Sequence, residues 1–338
     1  MIRQLATVTA AALLATTLHA FQPAAAAPTT CTKTVLPLPA GTAYTDSSVR
    51  DADPTGRYLL GYAANELGYQ DILWVDGVPR WLASRPGGVT RTYAVVRGGL
   101  VFGSTSNEAG EDYWIYSART DTYRMLKLPE NFDLYAFTGM NVHQDIIGMV
   151  WDKDRNYSIP FVWPAGGRPR LLPKPPGYPT GNATHIADDG RITGDFGKLD
   201  ASSFGNYLWT SWNHRPARLA APDQSGAFTR DIEGLWIGGG YGGEPNARGL
   251  LWNTRTGRYT ELEDAVADIN SSGDAVTFGG WVIDRYPSVL IRSDGTRITF
   301  TAATYLWHVF DRGNPRWTTA GYEMVEDRPQ AVAYKCTN

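Results

Sequence analysis

The sequence predicts an all-β fold, and three observations support this. Its 338 residues include 36 Gly, 21 Pro, 12 Trp and 18 Tyr, a mixture typical of many short strands joined by tight turns. A glycine that ends a β-branched or aromatic run recurs about every 44 residues. The only two cysteines, Cys31 and Cys336, lie near opposite ends of the chain. Together these features indicate a repetitive sheet protein whose ends meet.

The overall composition excludes several classes of protein. A hydrophobic fraction of 43% can support a packed core, which rules out disorder, collagen and a coiled coil. Lys and Arg number 31 against 34 Asp and Glu, giving a formal charge of −3. Nucleic acids and anionic membranes attract dense Lys and Arg. We therefore expect neither of them as a partner of this mildly acidic chain.

Residues 1–26 have the pattern of a cleaved secretory signal peptide. An apolar run at 5–14 leads to small residues at 24–26 that fit a cleavage site. The residues before Cys31 lack the pattern of a lipoprotein site. No other apolar stretch is long enough to span a membrane. We expect a Sec-exported, extracellular, monomeric protein without membrane insertion, folded as one domain over residues 27–338.

A repeat runs through the whole domain. Each copy pairs a glycine with an aromatic or apolar anchor 12 to 15 residues later, and the anchor is followed by a polar turn and a segment that ends in Leu or Phe. The seven pairs are Gly61 with Trp74, Gly103 with Tyr116, Gly148 with Trp163, Gly194 with Trp209, Gly238 with Trp252, Gly279 with Ile291, and Gly321 with Tyr334. Each copy therefore supplies four short strands.

A repeat of four strands in about 44 residues is typical of a β-propeller blade. We predict seven blades, with six as the alternative if a terminal copy is irregular. The last copy stops after its third strand, and the segment 31–39 matches the missing fourth strand. This strand would close the ring beside the C-terminal strand and place Cys31 next to Cys336 for a disulfide. Two unpaired buried thiols or a redox pair are the disfavoured alternative.

Two segments carry a resemblance to a known family. They are Ile159-Pro-Phe-Val-Trp163 with Gly166, Gly167 and Leu171, and Ala267-Asp-Ile-Asn-Ser-Ser-Gly273 with Val276 and Gly279. Here the chain resembles bacterial extracellular repeat proteins of the HAF type and, more loosely, secreted β-propellers, although the literal His-Ala-Phe triplet is absent. The resemblance implies a fold and carries no settled activity.

The sequence lacks the motifs of the common enzyme classes. It has no nucleophile elbow, no phosphate-binding loop, no His-Glu-x-x-His and no cysteine-pair metal site. Asp51 and Asp53 before Gly56 are spaced as in part of a calcium loop. The same place in other repeats holds Asp, Asn and Gly in a turn between the first and second strands, so turn geometry explains them without an ion.

One aligned position of the repeat, which we call the channel column, carries titratable groups in four of the copies. It lies just before that turn, on the innermost strand, where the side chains would reach the central channel. Its members are Asp51, His185, Asp268 and His308. They predict either a channel cluster that binds a divalent cation or moves protons, or polar groups that simply hydrogen-bond to water in a wet channel.

A second candidate site lies on the hairpins between second and third strands, which in a propeller all emerge on one face. Carboxylates beside aromatic rings suit carbohydrate binding, because rings pack on sugar faces and acids accept hydroxyl hydrogen bonds. The alternative is that these charged hairpins serve only to keep a sheet protein soluble. The candidates are Tyr62, Glu66, Trp151, Asp152, Tyr241, Glu244, Trp281, Asp284 and Tyr322.

Three classes of function fit these features. A binding module for an extracellular glycan or protein is favoured, because no decisive catalytic motif is present. The alternative is an enzyme acting on polysaccharide. It would be a hydrolase if two carboxyl groups lie about 5 to 10 Å apart, or a metal-assisted lyase if His185 and His308 hold a cation. A structural, envelope-associated repeat protein is the third class. We expect no cofactor, with a divalent cation in the channel as the alternative.

Overall fold

The structure is a computed structural model that describes residues 30–337 apart from 67, 83–87, 109, 128–133, 153, 155, 200–203, 223–225, 243–246, 279–286 and 302. The predicted signal peptide (1–26) lies outside these residues. The described part folds into seven antiparallel sheets of four strands each, and no helix in it is long and apolar enough to cross a membrane.

Each sheet is one blade, and three of its four strands always follow one another in the chain. Blades 1 to 3 contain β2 (Asp46–Ala52), β3 (Tyr58–Asn65), β4 (Gly68–Val75), β5 (Val78–Trp81), then β6 (Val89–Val96), β7 (Leu100–Asn107), β8 (Gly110–Ser117), β9 (Thr122–Leu126), then β10 (Leu134–Met140), β11 (Ile146–Asp152), β12 (Tyr157–Trp163), β13 (Arg170–Leu171). Blades 4 and 5 contain β14 (Thr180–Ile186), β15 (Ile192–Gly197), β16 (Phe204–Trp209), β17 (Ala217–Arg218), then β18 (Phe228–Glu233), β19 (Trp236–Tyr241), β20 (Arg248–Asn253), β21 (Arg258–Leu262). Blades 6 and 7 contain β22 (Ala265–Ile269), β23 (Ala275–Phe278), β24 (Val289–Ile291), β25 (Arg297–Thr299), then β26 (Thr304–Val309), β27 (Thr319–Val325), β28 (Arg328–Cys336) and β1 (Cys31–Val35).

The prediction of an all-β, seven-bladed propeller is confirmed. The first strand of each blade lies innermost and contacts the first strand of the next blade. Two ends of the molecule follow from this order. We call the end with the hairpins between second and third strands the hairpin face, and the end with the turns between first and second strands the turn face.

The N-terminal strand closes the ring, as predicted. β1 pairs antiparallel with β28 in blade 7, with Cys31 opposite Cys336, and a disulfide joins the two residues. β1 ends at Val35, before the predicted end of this strand at residue 39, because Pro37 and Pro39 have no N–H to donate to the ladder. The disulfide indicates a location outside the cytoplasm.

The inner strand of every blade contains a β-bulge, seen as a register shift against the second strand. A bulge inserts one extra residue, so that two residues oppose one and the simple alternation of faces is interrupted. In blade 1 the extra residue is Arg50, between Val49 and Asp51. The bulge therefore allows two consecutive side chains on each inner strand to reach the axis.

In six blades the residue opposite the bulge is a glycine, and the backbone there leaves no room for a side chain. In blade 4, a Cβ on Gly194 would lie 2.1 Å from the carbonyl oxygen of Asn182 and 2.9 Å from the ring of Trp209. The sequence alignment places this glycine correctly in five blades. In blade 5 the equivalent residue is Gly239 rather than Gly238, and in blade 6 it is Thr277, while Gly279 lies outside the described residues.

The anchor tryptophans form the core between blades. The indole N–H of Trp74 donates to the Pro37 carbonyl at 2.7 Å, and that of Trp209 donates to the Pro173 carbonyl at 2.9 Å. In each case the acceptor follows the outer strand of the preceding blade. Both rings are fully buried. Trp74 and Trp209 thus each fix their blade to the previous one, in agreement with their predicted core role.

Candidate functional site

The bulges build two successive rings of residues around the axis. The first ring, the bulge layer, holds the inserted residues Arg50, Tyr93, Thr138, Thr184, Arg230, Ala267 and Trp307. The second ring, the polar layer, holds the next residue of each strand: Asp51, Ala94, Gly139, His185, Asp231, Asp268 and His308. The polar layer is one residue nearer to the turn face.

Residues of both layers line a cavity of about 330 Å³ to which all seven blades contribute. All four members of the predicted channel column, Asp51, His185, Asp268 and His308, lie in its wall. The structure adds a fifth titratable member, Asp231, from blade 5. The column that the sequence placed near the channel is therefore brought together in one cavity.

Each aspartate of the polar layer also binds the next blade. Asp51 accepts a hydrogen bond from the Val95 backbone N–H at 2.5 Å, and Asp268 accepts one from Val309 N–H at 2.7 Å. Asp231 accepts a longer bond, of 3.4 Å, from Ile269 N–H. The donor is in every case the residue after the polar-layer position of the neighbouring blade. These carboxyl groups are thus fixed in direction while they face the cavity.

The cavity shifts its carboxyl groups toward the protonated form. Burial raises the pKa of Asp51 to about 7, and burial raises the pKa of Asp231 to about 6. The pKa of Asp268 rises through burial and through the charge of Asp231, and the two side chains share a hydrogen bond. Two carboxyl groups can hydrogen-bond to each other only with a proton between them.

The two histidines of the polar layer stay uncharged at neutral pH. Burial lowers the pKa of His185 to about 3, with the charge of Arg230 adding to the effect. Burial also lowers the pKa of His308 to about 4. The Nδ1 atom of His185 and the Nε2 atom of His308 are buried without a hydrogen-bond partner among the described residues. A ligand hydroxyl or a water molecule would satisfy them.

Two arginines of the bulge layer supply positive charge to the same wall. The Arg50 guanidinium stacks on the Tyr62 ring at 4.5 Å, and its Nη1 atom lies 3.9 Å from the buried Asp71 carboxylate. Arg230 stacks between the rings of Phe228 and Phe278, at 5.6 and 5.9 Å.

One arginine crosses the axis at the turn face. Arg97, in the turn of blade 2, lies 2.9 Å from Asp311 of blade 7, 3.3 Å from Glu233 of blade 5 and 3.6 Å from Asp188 of blade 4. Burial raises the pKa of Glu233 to about 8, with the Asp231 charge adding to the rise and the Arg97 charge opposing it. The side chain of Arg97 therefore spans the mouth of the channel at this end.

The described hairpin-face candidates are spread over blades 1, 3, 5 and 7. Tyr322 stacks on Tyr305 at 5.0 Å, and the Tyr241 hydroxyl donates to Glu261 at 2.8 Å. Glu66 and Trp151 are exposed, and Asp152 is half-buried. None of these, nor Tyr62, lines the axial cavity, although Tyr62 holds Arg50. The remaining candidates, Glu244, Trp281 and Asp284, lie outside the described residues.

The described residues contain no preformed metal centre. No group of three or more His, Cys, Asp or Glu in that part of the chain is arranged to hold an ion. Asp53, from the segment spaced like a calcium loop, accepts hydrogen bonds from the Tyr58 N–H at 2.7 Å and from Thr55. Its carboxylate is used by the turn, as the turn interpretation requires.

Comparisons with known proteins place the chain among β-propellers. The β-propeller domain of the Trilobed protease from Pyrococcus furiosus gives a TM-score of 0.55 at 9% identity, over 87% of this chain and 99% of that one. Oligogalacturonate lyase from Vibrio parahaemolyticus gives 0.55 at 11% identity, over 91% and 96%. Acylaminoacyl peptidase from Pyrococcus horikoshii gives 0.51 at 13% identity, over 76% and 45%.

The chain spans about half the length of two proteins that it matches, 54% of TolB from Acinetobacter baumannii and 45% of the P. horikoshii peptidase. Neither a protein-family model nor a curated protein sequence matches it significantly, so the HAF-type resemblance stays a prediction. Identities of 9 to 13% to the three propellers described show a shared fold alone. The chain is thus similar in fold to a protease propeller, to an acylaminoacyl peptidase and to an oligogalacturonate lyase.

Proposed function

We propose that this protein is a secreted glycan-binding propeller that takes a sugar residue in its axial cavity, with residues 1–26 as its signal peptide. The observation that carries this proposal is the polar cavity of about 330 Å³ lined by all seven blades. Ligand pockets are concave and combine a few placed polar groups with aromatic or apolar walls. The cavity volume is at the small end of that class, which suits one sugar ring rather than a long chain.

The wall offers the chemistry that hydroxyl groups need. Protonated carboxyl groups, such as the one shared by Asp231 and Asp268, both donate and accept hydrogen bonds. Neutral imidazoles do the same, and His185 and His308 each have an unused buried nitrogen. The Trp307 ring lines the cavity and offers an apolar surface to a sugar face.

The hairpin face is the proposed entry side. Arg97 crosses the opposite mouth and joins the turns of four blades. The bulge layer, with Trp307 and the two arginines, lies toward the hairpin face. A glycan chain would then rest on the hairpins while one of its residues enters the channel.

A titration of the secreted protein with a panel of neutral and acidic oligosaccharides tests this proposal. Binding should disappear in Trp307→Ala and weaken at least about tenfold in Asp231→Asn, since each removes one wall contact. Tyr241→Ala changes the hairpin face without touching the cavity and should bind as well as the parent. Loss of binding in Tyr241→Ala, with Trp307→Ala unaffected, would place the site on the hairpins. Absence of binding across the panel would contradict the proposal.

A second function, catalysis on polysaccharide, is favoured by the hydrogen bond between Asp231 and Asp268 in the cavity wall. Such a pair holds a proton that a reaction can use. It is closer than the carboxyl pairs of glycosidases, so a hydrolase would need Asp51 as the second group. Release of reducing ends measures hydrolysis, and absorbance of an unsaturated product measures elimination. Activity that survives both Asp231→Asn and Asp268→Asn would exclude the pair.

A further inference from the structure

The two arginines of the bulge layer point to the kind of sugar that the cavity takes. Arg50 comes from blade 1 and Arg230 from blade 5, so they lie nearly opposite each other in a ring of seven blades. Both line the cavity, at the same level along the inner strands. A ligand that enters from the hairpin face would meet both residues before the polar layer.

Arg50 is held in place and yet keeps its hydrogen-bond donors. The Asp71 side chain is 2% exposed, and burial raises its pKa to about 6, with the charge of Arg50 opposing the rise. Its distance of 3.9 Å from Arg50 Nη1 is an ion-pair distance without a hydrogen bond. The rings of Tyr62 and Tyr69, at 4.5 and 5.7 Å, flank the same guanidinium.

A buried carboxylate is costly, so this arrangement needs a reason. Asp71 and the two tyrosine rings fix the position of the Arg50 guanidinium, while its N–H groups make no hydrogen bond within the described part of the protein. A guanidinium has five donors in a planar fork, and this fork matches the two oxygens of a carboxylate. Asp71 therefore acts as a positioning residue for Arg50.

The polar layer below does not repel an anion as strongly as its composition suggests. Burial raises the pKa values of Asp51, Asp231 and Asp268, so these groups stay protonated to a higher pH than free carboxyl groups do. Arginine side chains carry a positive charge in proteins, and the bulge layer holds two of them, Arg50 and Arg230. The end of the cavity that lies toward the hairpin face is therefore its cationic end.

We propose that the sugar residue bound in the axial cavity is a uronate, whose carboxylate is bound by Arg50 and Arg230. This inference rests on the proposed glycan-binding function and names its ligand class. The ligand is an acidic polysaccharide or an oligosaccharide derived from it.

A matched pair of ligands tests the inference directly. Oligogalacturonate and its methyl ester have the same sugar chain, and only the first carries carboxylates. Calorimetric titration of the whole protein should give at least about tenfold tighter binding of the acid, the range expected for a hydrogen-bonded charge. In Arg50→Gln and in Arg230→Gln this preference should fall toward onefold, while binding of the ester stays within about threefold. Arg255→Gln, which removes an exposed arginine far from the cavity, should keep the full preference.

Asp71→Asn provides a second, milder variant that leaves Arg50 in the chain. It should lower the acid preference about threefold or more without changing ester binding, because it loosens only the position of the guanidinium. A thermal unfolding scan of every variant identifies those that fail to fold, and Arg50→Lys then replaces Arg50→Gln.

The outcomes separate this inference from the function on which it rests. Equal binding of acid and ester, or a preference that survives both arginine variants, would overturn the uronate assignment and leave glycan binding intact. Failure of both ligands, together with failure of the neutral panel, would overturn both. An oligosaccharide whose sugars carry sulfate groups but no carboxylate provides a further comparison. If it binds more tightly than the uronate, the ligand is a sulfated sugar and the uronate assignment is overturned.

Discussion

At the scale of single residues, the carboxyl group of Asp51 shows how the channel changes side-chain chemistry. It faces the axial cavity, accepts a hydrogen bond from Val95 N–H and has a pKa raised by burial to about 7. A group whose pKa is higher in the folded than in the unfolded chain stabilises the fold at low pH. That contribution is lost as the pH rises from about 4 through 7.

Asp51→Asn should therefore remove a pH dependence without removing a hydrogen bond, because the amide oxygen still accepts from Val95. Its free energy of unfolding should match the parent near pH 4 and exceed it at pH 8 by on the order of 2–4 kcal/mol. Urea unfolding at both pH values measures the difference. Asp112→Asn, at an exposed position, should change nothing. Equal stability of parent and Asp51→Asn at pH 8 would show that this carboxyl is ionised at little cost.

The pKa shifts of the polar-layer histidines affect stability in the opposite direction to that of Asp51. Their pKa values are lower in the fold than in the unfolded chain, at about 3 for His185 and about 4 for His308. Their contribution is complete above about pH 6.5 and is lost as the pH falls toward those values. His185→Phe and His308→Phe should each make the protein more resistant to acid between pH 6 and 4, as monitored by near-UV circular dichroism. Unchanged acid unfolding midpoints would contradict the lowered pKa values.

Four of the five titratable residues of the polar layer could be predicted from the sequence, and Asp231 was missed for a physical reason. Asp51, His185, Asp268 and His308 share the same spacing to the glycine of the following turn. In blade 5 the turn after Asp231 has only two residues, Gly234 and Leu235, between the paired Glu233 and Trp236. A column defined by that spacing omits Asp231. Arg50, Arg230 and Arg97 were also missed, because a bulge and a cross-channel contact leave no periodic signal.

At the scale of the strand, the bulge explains both the recurrent glycine and the two layers of the cavity. At the six glycine positions a Cβ would collide with a carbonyl oxygen of the inner strand, whereas blade 6 accommodates Thr277 at the equivalent position. The glycine register was predicted correctly in blades 1 to 4 and in blade 7. It shifted by one residue in blade 5, where the turn is shorter, and by two in blade 6, where Thr277 replaces the glycine.

A comparison of two glycines tests this account of the bulge. Gly194→Ala places a Cβ 2.1 Å from the Asn182 carbonyl oxygen and should lower the free energy of unfolding by about 3 kcal/mol or more. Gly139→Ala is the matched control in the polar layer, where the nearest heavy atoms are 3.8 Å away. It should change stability by less than about 0.5 kcal/mol. Equal effects of the two substitutions in denaturant unfolding would refute the role assigned to the glycine.

At the scale of the whole molecule, the ring is closed by the pairing of β1 with β28 and by a disulfide that spans 305 residues. The chain-entropy model gives such a long loop about 5 kcal/mol of stabilisation as an upper value. The double variant Cys31→Ser/Cys336→Ser should thus unfold at a lower denaturant concentration than the parent. Under reducing conditions the parent should unfold like the variant. Identical midpoints under oxidising conditions would mean that strand pairing alone closes the ring.

Because the ring is closed, all seven blades contribute to a single axial site. All seven inner strands meet at the axis, and Arg97 joins the turns of four blades across one end of the channel. The sequence predicted the ring, its closure and the channel column, because the strand periodicity and the positions of the two cysteines can be read from the sequence directly. It also predicted the hairpins as a binding face, which stays a prediction, while all seven blades of the described part line the concave, polar wall at the axis.

The most direct test of the axial site is a crystal structure of the protein with its tightest-binding oligosaccharide. We expect one sugar ring inside the axial cavity, against Trp307, with hydroxyl groups hydrogen-bonded to Asp231 or Asp268. We expect its carboxylate between Arg50 and Arg230, and the rest of the chain at the hairpin face. A sugar bound across the hairpin tips, with no part of it in the cavity, would contradict the account.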